Sequence, residues 1–345
     1  MFKIQCSMKS LTTNIRKIVM AASLLAMTAI AFSQQQPPPT YPFYLVVAQD
    51  GSGNYKTIQE AVNAVRDLSQ VQVTIFIKKG VYHEKLVVPS WKTMISLVGE
   101  SKDSTIITNN DYSGKAYPGK DAYGKDKYST YTSYTVLIQG NDCHLENMTI
   151  ENTAGRVGQA VALHVEGDRS LVKNCRLLGN QDTLYAATET SRQLYLDCYI
   201  EGTTDFIFGE ATVLFRNCVI RSLTNSYITA AATTPRQQFG FVFDSCELQA
   251  DTSATKVYLG RPWRPYSKTV FLRTAMGRHI LPQGWDNWRN ADNEKTVLYA
   301  EYNCSGPGAL NAQRVKWSRQ LSAKEARKYT IENILAGKDN WTPLK

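Results

Sequence analysis

Apolar residues in this chain recur in short alternating bursts, and hardly any stretch keeps the three-and-four spacing of a helix. Leu194-Tyr195-Leu196 and Val213-Leu214-Phe215-Arg216 are typical, and each is followed by a small four-residue signature. That signature is a small polar residue, a soft apolar one, any residue, then an aliphatic. It stands as Asn147-Met148-Thr149-Ile150, Asn174-Cys175-Arg176-Leu177, Asp197-Cys198-Tyr199-Ile200, Asn217-Cys218-Val219-Ile220 and Ser245-Cys246-Glu247-Leu248. The intervals between its second positions are 27, 23, 20 and 28 residues. Short strands at such a period, joined by loops of irregular length, predict an all-β solenoid, a parallel β-helix in which each turn stacks on the last. Leucine-rich repeats share the period but demand a repeated L-x-x-L-x-L, which is absent.

Stacking puts equivalent residues about 4.8 Å apart along the axis, so Cys175, Cys198, Cys218 and Cys246 form an internal ladder of small apolar side chains. The same spacing permits a disulfide, with Cys198–Cys218 the favoured pair. Two segments carry helix signals. Thr57 and Glu60 make a capping box before an apolar stripe at Ile58, Ala61, Val62 and Val65, and Ser322 with Glu325 makes another, opening a helix expected to stop near Gly337. Both are expected to cover the open ends of the solenoid. The stretch from Asn109 to Tyr134 is rich in Tyr, Lys, Gly and Asp without periodicity, and reads as a long binding loop.

Residues 1–33 have four basic residues and no acid, then an uncharged run from Ile18 to Phe32 ending in small residues. This is the layout of a secretory signal; the run is short for a membrane anchor, and polar Gln-Gln-Gln-Pro-Pro-Pro follows it. Residues 34–43 read as a Gln/Pro-rich linker and 44–345 as one catalytic domain. The whole chain has 39 Lys and Arg against 30 Asp and Glu, and four of the basic residues belong to the signal. The remaining excess is mild and has no basic run, which argues against nucleic acid and suits a partner with scattered negative charge. No C-x-x-C occurs, and His83, His144, His164 and His279 lie far apart, so a metal site has no support.

The candidate chemistry lies in two aspartates. Asp182 follows Cys175 by seven residues and Asp205 follows Cys198 by seven, so they share one position on consecutive turns. Two carboxylates stacked a strand spacing apart cannot both ionise comfortably, and one tends to keep a proton. Counting back from Asp182 by the same interval reaches Gln159, whose amide offers a donor to an oxyanion, and Gln181 offers a second. In Leu259-Gly260-Arg261-Pro262-Trp263, Arg261 could hold one aspartate ionised and Trp263 could stack on a sugar face. Taken singly, each has a bland reading as a turn former, a polar-ladder member or a corner brace; their convergence favours chemistry. Other motifs fail. Gly114 to Lys120 spells a phosphate loop, but Asp121 replaces its Ser or Thr and no strand precedes it; G-x-S-x-G is absent.

These residues also carry a family resemblance. Gly80-Val81-Tyr82-His83-Glu84, Gln159-Ala160-Val161-Ala162-Leu163, Gln181-Asp182-Thr183-Leu184, Asp205-Phe206-Ile207-Phe208-Gly209 and the Arg261 motif stand in the order found in pectinesterases, also called pectin methylesterases. The chain resembles that family from about Tyr44 to Trp341, as a bacterial-type secreted member without the inhibitor-like pro-domain. The resemblance implies a single-stranded right-handed parallel β-helix with short terminal helices. It also implies a carboxylic ester hydrolase that frees methanol from C6 methyl esters of galacturonate in homogalacturonan. Asp205 would be the nucleophile, Asp182 the general acid and then base, Gln159 and Gln181 the oxyanion donors; Arg261 would orient Asp205 and Trp263 pack on a galacturonate ring. No cofactor or metal is implied. A secreted monomer, periplasmic or extracellular, with no membrane contact after signal cleavage, is expected.

Two rival readings keep the solenoid. Cleavage of the glycosidic bond would need acids spaced for that reaction, and the chain has neither an Asp-Asp pair, nor G-H-G, nor an acidic cluster suited to calcium. A glycan-binding solenoid without catalysis would have no use for converging acids, amides and a guanidinium.

Overall fold

The computed structural model describes residues 41–121 and 124–344, so the signal expected at 1–33 lies outside the described residues. Three parallel sheets of eleven, eight and seven strands line the solenoid among the described residues, and from Val73 to Pro262 each coil adds one strand to each in turn. One coil contributes Arg192–Leu196, Tyr199–Gly202 and Ile207–Gly209; the next contributes Thr212–Arg216, Val219–Ser222 and Tyr227–Ala231. This is the right-handed parallel β-helix that the repeat and the resemblance imply.

The four-residue signature is the corner between the eleven- and eight-stranded sheets. Its polar member holds the left-handed backbone conformation in every repeat, from Asn147 (φ 58°) through Asn174, Asp197 and Asn217 to Ser245 (φ 56°). Arg273 and Asn303 continue the series. That conformation disfavours most side chains, and Asn and Asp tolerate it by bonding locally. The aliphatic member points inward, giving the ladder Ile150, Leu177, Ile200, Ile220, Leu248, each opposite the next. All are buried, and each such side chain contributes about 1.5–3 kcal/mol by leaving water. In the eleven-stranded sheet, Tyr195, Phe215, Phe243 and Phe271 stack inside at 4.9, 4.4 and 4.5 Å between ring centres.

The cysteine ladder forms, but without a disulfide: Cys198 and Cys218 are free thiols, as are the other described cysteines. The Cys198 thiol donates to the carbonyls of Leu196 and Val172 at 3.3 and 3.4 Å, and Cys218 does likewise with Arg216 and Tyr195. Burial holds both thiols well above their usual titration range, so they act as small apolar fillers.

Helix α1 (Ile58–Ala64) closes the N-terminal end as expected, placing Ile58, Ala61 and Val62 in the main core. The Glu84 carboxylate accepts the first N–H groups of this helix, from Ile58 and Gln59 at 2.9 and 3.0 Å. The Gly80–Glu84 motif is therefore a structural tie between helix and coil. The C-terminal expectation needs correction. The helix stops after one turn, α2 (Ala323–Ala326), and Thr330 caps a second, α3 (Ile331–Leu335). These two do not plug the end; Ile334 and Leu335 lie on the outer face of the eleven-stranded sheet against Leu194, Leu214 and Val242. Arg192 holds them there by donating to the carbonyls of Leu335 and Ala336 at 3.0 and 2.9 Å.

Candidate functional site

The site lies on the outer face of the seven-stranded sheet, at the corner where the chain enters it from the eight-stranded sheet. Leu184 pairs with Ile207 in parallel register, which sets Asp182 opposite Asp205 on consecutive coils. Both aspartates adopt the left-handed conformation, at φ 68° and 48°. They are 7% and 6% exposed, so this corner turns its acids into a protein-lined cleft instead of bulk water. Glycines permit the close packing beneath. A Cβ on Gly209, itself at φ 126°, would stand 2.0 Å from the Ala186 carbonyl oxygen, and one on Gly260 would stand 1.9 Å from Thr229 Oγ1.

Arg261 reaches Asp205 with both arms of its fork, Nε to Oδ1 at 3.0 Å and an η nitrogen to Oδ2 at 2.6 Å. The guanidinium is itself sandwiched, 4.0 Å from the ring centre of Tyr227 and 3.8 Å from that of Trp288. Asp182 receives no hydrogen bond at its carboxyl from any described residue and faces the cavity. Burial pushes the Asp182 carboxyl well above the usual carboxylate range, and the charge of Asp205 pushes it further. Burial raises Asp205 too, but there the two bonds and the charge of Arg261 pull the other way. The pair is thus divided by one guanidinium: both carboxyls sit above their usual range, Asp182 by far the more, so Asp182 is the member that favours its proton.

Gln159 and Gln181 form a parallel bridge with each other, and the N–H of Ala160 donates to the Gln181 carbonyl at 3.1 Å. The expected single ladder of 159, 182 and 205 therefore needs correction. The aspartates keep the interval, whereas the coil before them is shorter, Leu163 pairing with Leu184, and Gln159 lands opposite Gln181. The amides of both glutamines still line the same cavity of about 410 Å³ as Asp182, Asp205, Arg261 and Trp263. Neither amide is taken by a described neighbour. All six expected residues meet there.

Sequence reading missed the walls. Phe208 lines the cavity, its ring parallel within 6° to that of Tyr185 behind it at 4.5 Å, and Trp263 meets Phe208 edge-on at 5.8 Å. Phe208 lies within a motif already singled out and Tyr185 directly follows another, and the strand period could have put them on the outer face. Trp288 and Tyr131 come from loops with no periodic signal. Among the described residues no cluster of His, Cys, Asp and Glu is arranged to hold a metal ion.

A β-helix carrying a buried acid pair, a guanidinium on one member and two free amides beside it is equipped for covalent acyl transfer on a long, ring-built substrate. Comparison with known proteins gives the family. The pectinesterase family model matches residues 44–338, and the chain belongs to that family. It is 38% identical over 336 residues to an Arabidopsis thaliana protein named probable pectinesterase/pectinesterase inhibitor 21, covering 93% of this chain and 47% of that one. The chain spans about half the length of the first curated relatives it matches. Among solved structures it is similar to pectin methylesterase from carrot, with TM-score 0.79, 35% identity and coverage of 88% of this chain and 96% of that one. It is also similar to a pectin methylesterase variant crystallised with a hexasaccharide, with TM-score 0.75, 30% identity and coverage of 89% and 99%. The expectation of a bacterial-type member is not confirmed: the first curated relatives are plant proteins, and the similar solved structures include enzymes from carrot, Erwinia chrysanthemi and Yersinia enterocolitica.

Proposed function

We propose that this protein hydrolyses the C6 methyl esters of galacturonate in pectin and that residues 44–345 are its catalytic domain. One observation carries the reading: Arg261 grips both oxygens of Asp205 and leaves the stacked Asp182 bare towards the cleft. That asymmetry supports reading Asp205 as the ionised nucleophile and Asp182 as the protonated acid, the roles the family resemblance implies. Family membership and the hexasaccharide bound by a related pectin methylesterase support the choice of polymer.

In the first half-reaction an oxygen of Asp205 attacks the C6 carbonyl, and the amides of Gln159 and Gln181 donate to the oxyanion that develops. The bond from C6 to the methoxy oxygen breaks, and Asp182 passes its proton to that oxygen, releasing methanol. An anhydride joins Asp205 to C6. Asp182, now a carboxylate, takes a proton from a water that attacks C6, and Asp205 departs as carboxylate. Product and enzyme are restored, and the scheme draws on no metal or organic cofactor. Trp263 packs against the sugar whose ester is cleaved. Residues 1–33 are proposed as a secretory signal, and the mature protein as a monomer acting in the periplasm or outside the cell.

The test is methanol release from highly methylated pectin by protein lacking residues 1–33, with reducing ends counted in the same tubes. Methanol without new reducing ends, lost in Asp205→Asn, is the expected result. No methanol, or chain cleavage, refutes the reading.

A further inference from the structure

Past the coil that carries Arg261, one ion pair is buried inside the C-terminal part of the solenoid. Glu301 lies in the strand Leu298–Tyr302, two residues after the core residue Tyr299 and on the same inner face, and Arg314 returns to it from the segment that follows. Nε and one η nitrogen of Arg314 donate to the two carboxylate oxygens at 2.8 and 3.0 Å. The remaining N–H groups go to carbonyls, Gly308 at 2.7 Å and Leu281 and Pro282 at 3.1 and 3.0 Å. Every donor of the guanidinium is thus used. The side chains of Arg314 and Glu301 are 3% and 1% exposed, and a pair so deep is a poor source of stability, because desolvation offsets most of the attraction. Two apolar side chains would fill the space as well. They would not hold three carbonyls at fixed points.

Two of those carbonyls open the loop that leads to Trp288. Gly284, at φ 74°, packs on the stem of Arg314, where a Cβ would stand 2.5 Å from Cδ. From there the loop runs beside the strand Tyr258–Pro262, which carries Arg261. The N–H of Leu259 donates to the Gly284 carbonyl at 2.7 Å, Trp285 bridges Gly260, and the N–H of Asp286 donates to the Gly260 carbonyl at 3.1 Å. The buried ring of Trp285 lies 4.4 Å from that of Tyr299, on the same strand as Glu301. Asp286 Oδ1 accepts from the N–H of Trp288 at 2.7 Å, and the Trp288 ring lies 3.8 Å from the Arg261 guanidinium. Contacts therefore run unbroken from Glu301 through Arg314 and the loop to Arg261, and from there to Asp205.

We propose that the buried Glu301–Arg314 pair positions the nucleophile: it fixes residues 281–288, which keeps Trp288 on Arg261 and Arg261 aimed at both oxygens of Asp205. Neither member of the pair touches substrate. The inference rests on the pectin reading above, in which Asp205 attacks.

The acid limb of the rate profile separates positioning from mere support, because a pair that only stabilised the fold would lower the melting temperature and leave that limb in place. Three charged groups face Asp205: Asp182 from the coil before, Arg261, and Asp286 from the loop itself. Asp286 opposes Arg261 but weighs less, so a loosened loop moves the Asp205 titration upward. Arg314→Lys keeps the charge but has too few donors for two carboxylate oxygens and three carbonyls. It is expected to shift the acid limb of methanol release to higher pH and to lower kcat about 10-fold. Trp288→Leu should shift the limb in the same direction, and Arg314→Lys added to it should move the limb no further. If Arg314→Lys fails to fold in a thermal melt, Gly284→Ala, which crowds Arg314 from the loop side, decides in its place. An acid limb unmoved in either single variant, or shifts that add in the double variant, overturns the positioning role. If the wild type releases no methanol at all, the pectin reading fails instead, and infrared titration of Asp205 in the unliganded protein decides the positioning: it stands if Arg314→Lys raises that titration and falls if the titration is unchanged.

Discussion

Two corners of this solenoid use the same local device to opposite ends. Where the eleven-stranded sheet turns into the eight-stranded one, Asn147, Asn174, Asp197 and Asn217 all sit in the left-handed conformation. Where the eight-stranded sheet turns into the seven-stranded one, Asp182 and Asp205 do the same. At the first corner the polar groups bond along their own ladder, Asn174 to Asn147 at 2.6 Å and Asn217 to Asp197 at 3.3 Å, and Asp197 is exposed. At the second the carboxyls are buried, and only one of them is given a partner. Residue type and backbone are shared; burial and Arg261 make the difference between a turn former and an acid pair.

The sharpest way to break this comparison is to make one substitution at both corners. Asp205→Asn removes the attacking charge and is expected to lower kcat for methanol release by about 10⁴-fold or more. Asp197→Asn, with the same φ and an exposed side chain, should leave kcat unchanged. An equal loss at both would mean that the turn, not the charge, matters.

Arg261→Lys keeps a positive charge but loses the fork, and kcat is expected to fall about 10²-fold. The pH profile carries the sign. Asp205 must be ionised and Asp182 protonated, so activity falls below the first titration and above the second. Because Arg261 pulls the Asp205 titration down, weakening its grip moves the acid limb to higher pH. An acid limb that stays in place would show that Asp205 does not set it.

A smaller effect falls on stability. The Asp182 carboxyl titrates higher in the folded chain than unfolded, so the stability linked to it is present at low pH and lost as pH rises through the folded value. Asp182→Asn is therefore expected to raise stability at neutral pH by about 1 kcal/mol while activity is lost. The gain should vanish in acid, which a pair of thermal melts at two pH values checks. At the other corner, Asn217→Ala should cost about 1 kcal/mol because Ala tolerates the left-handed region poorly, and Asn217→Gly should be close to neutral.

How much of this was legible follows from which interactions are periodic. The Cys-to-Asp interval placed Asp182 above Asp205 correctly because strand register propagates from coil to coil. It misplaced Gln159 by one position because the preceding coil is shorter, a change that the flanking residues do not signal. Trp288 and Tyr227 sandwich Arg261; Tyr227 comes from the paired strand one coil earlier, whereas Trp288 comes from a loop that only three-dimensional proximity joins to Arg261. The stretch from Asn109 to Tyr134 read as structureless because the two ends that join it to the sheet are held by Lys85 and Asn152, side chains outside it. The C-terminal helices lie on the flank because Ile334 and Leu335 find an apolar surface there, which no local pattern announces.

The central claim is that one proton is shared unequally between two stacked aspartates. Difference infrared spectroscopy of the unliganded protein, carried across neutral pH, reads it through the stretch of a protonated carboxyl. The account expects one such band at neutral pH, absent in Asp182→Asn and retained in Asp205→Asn. No protonated carboxyl at neutral pH, or a band that disappears with Asp205 instead, would contradict it.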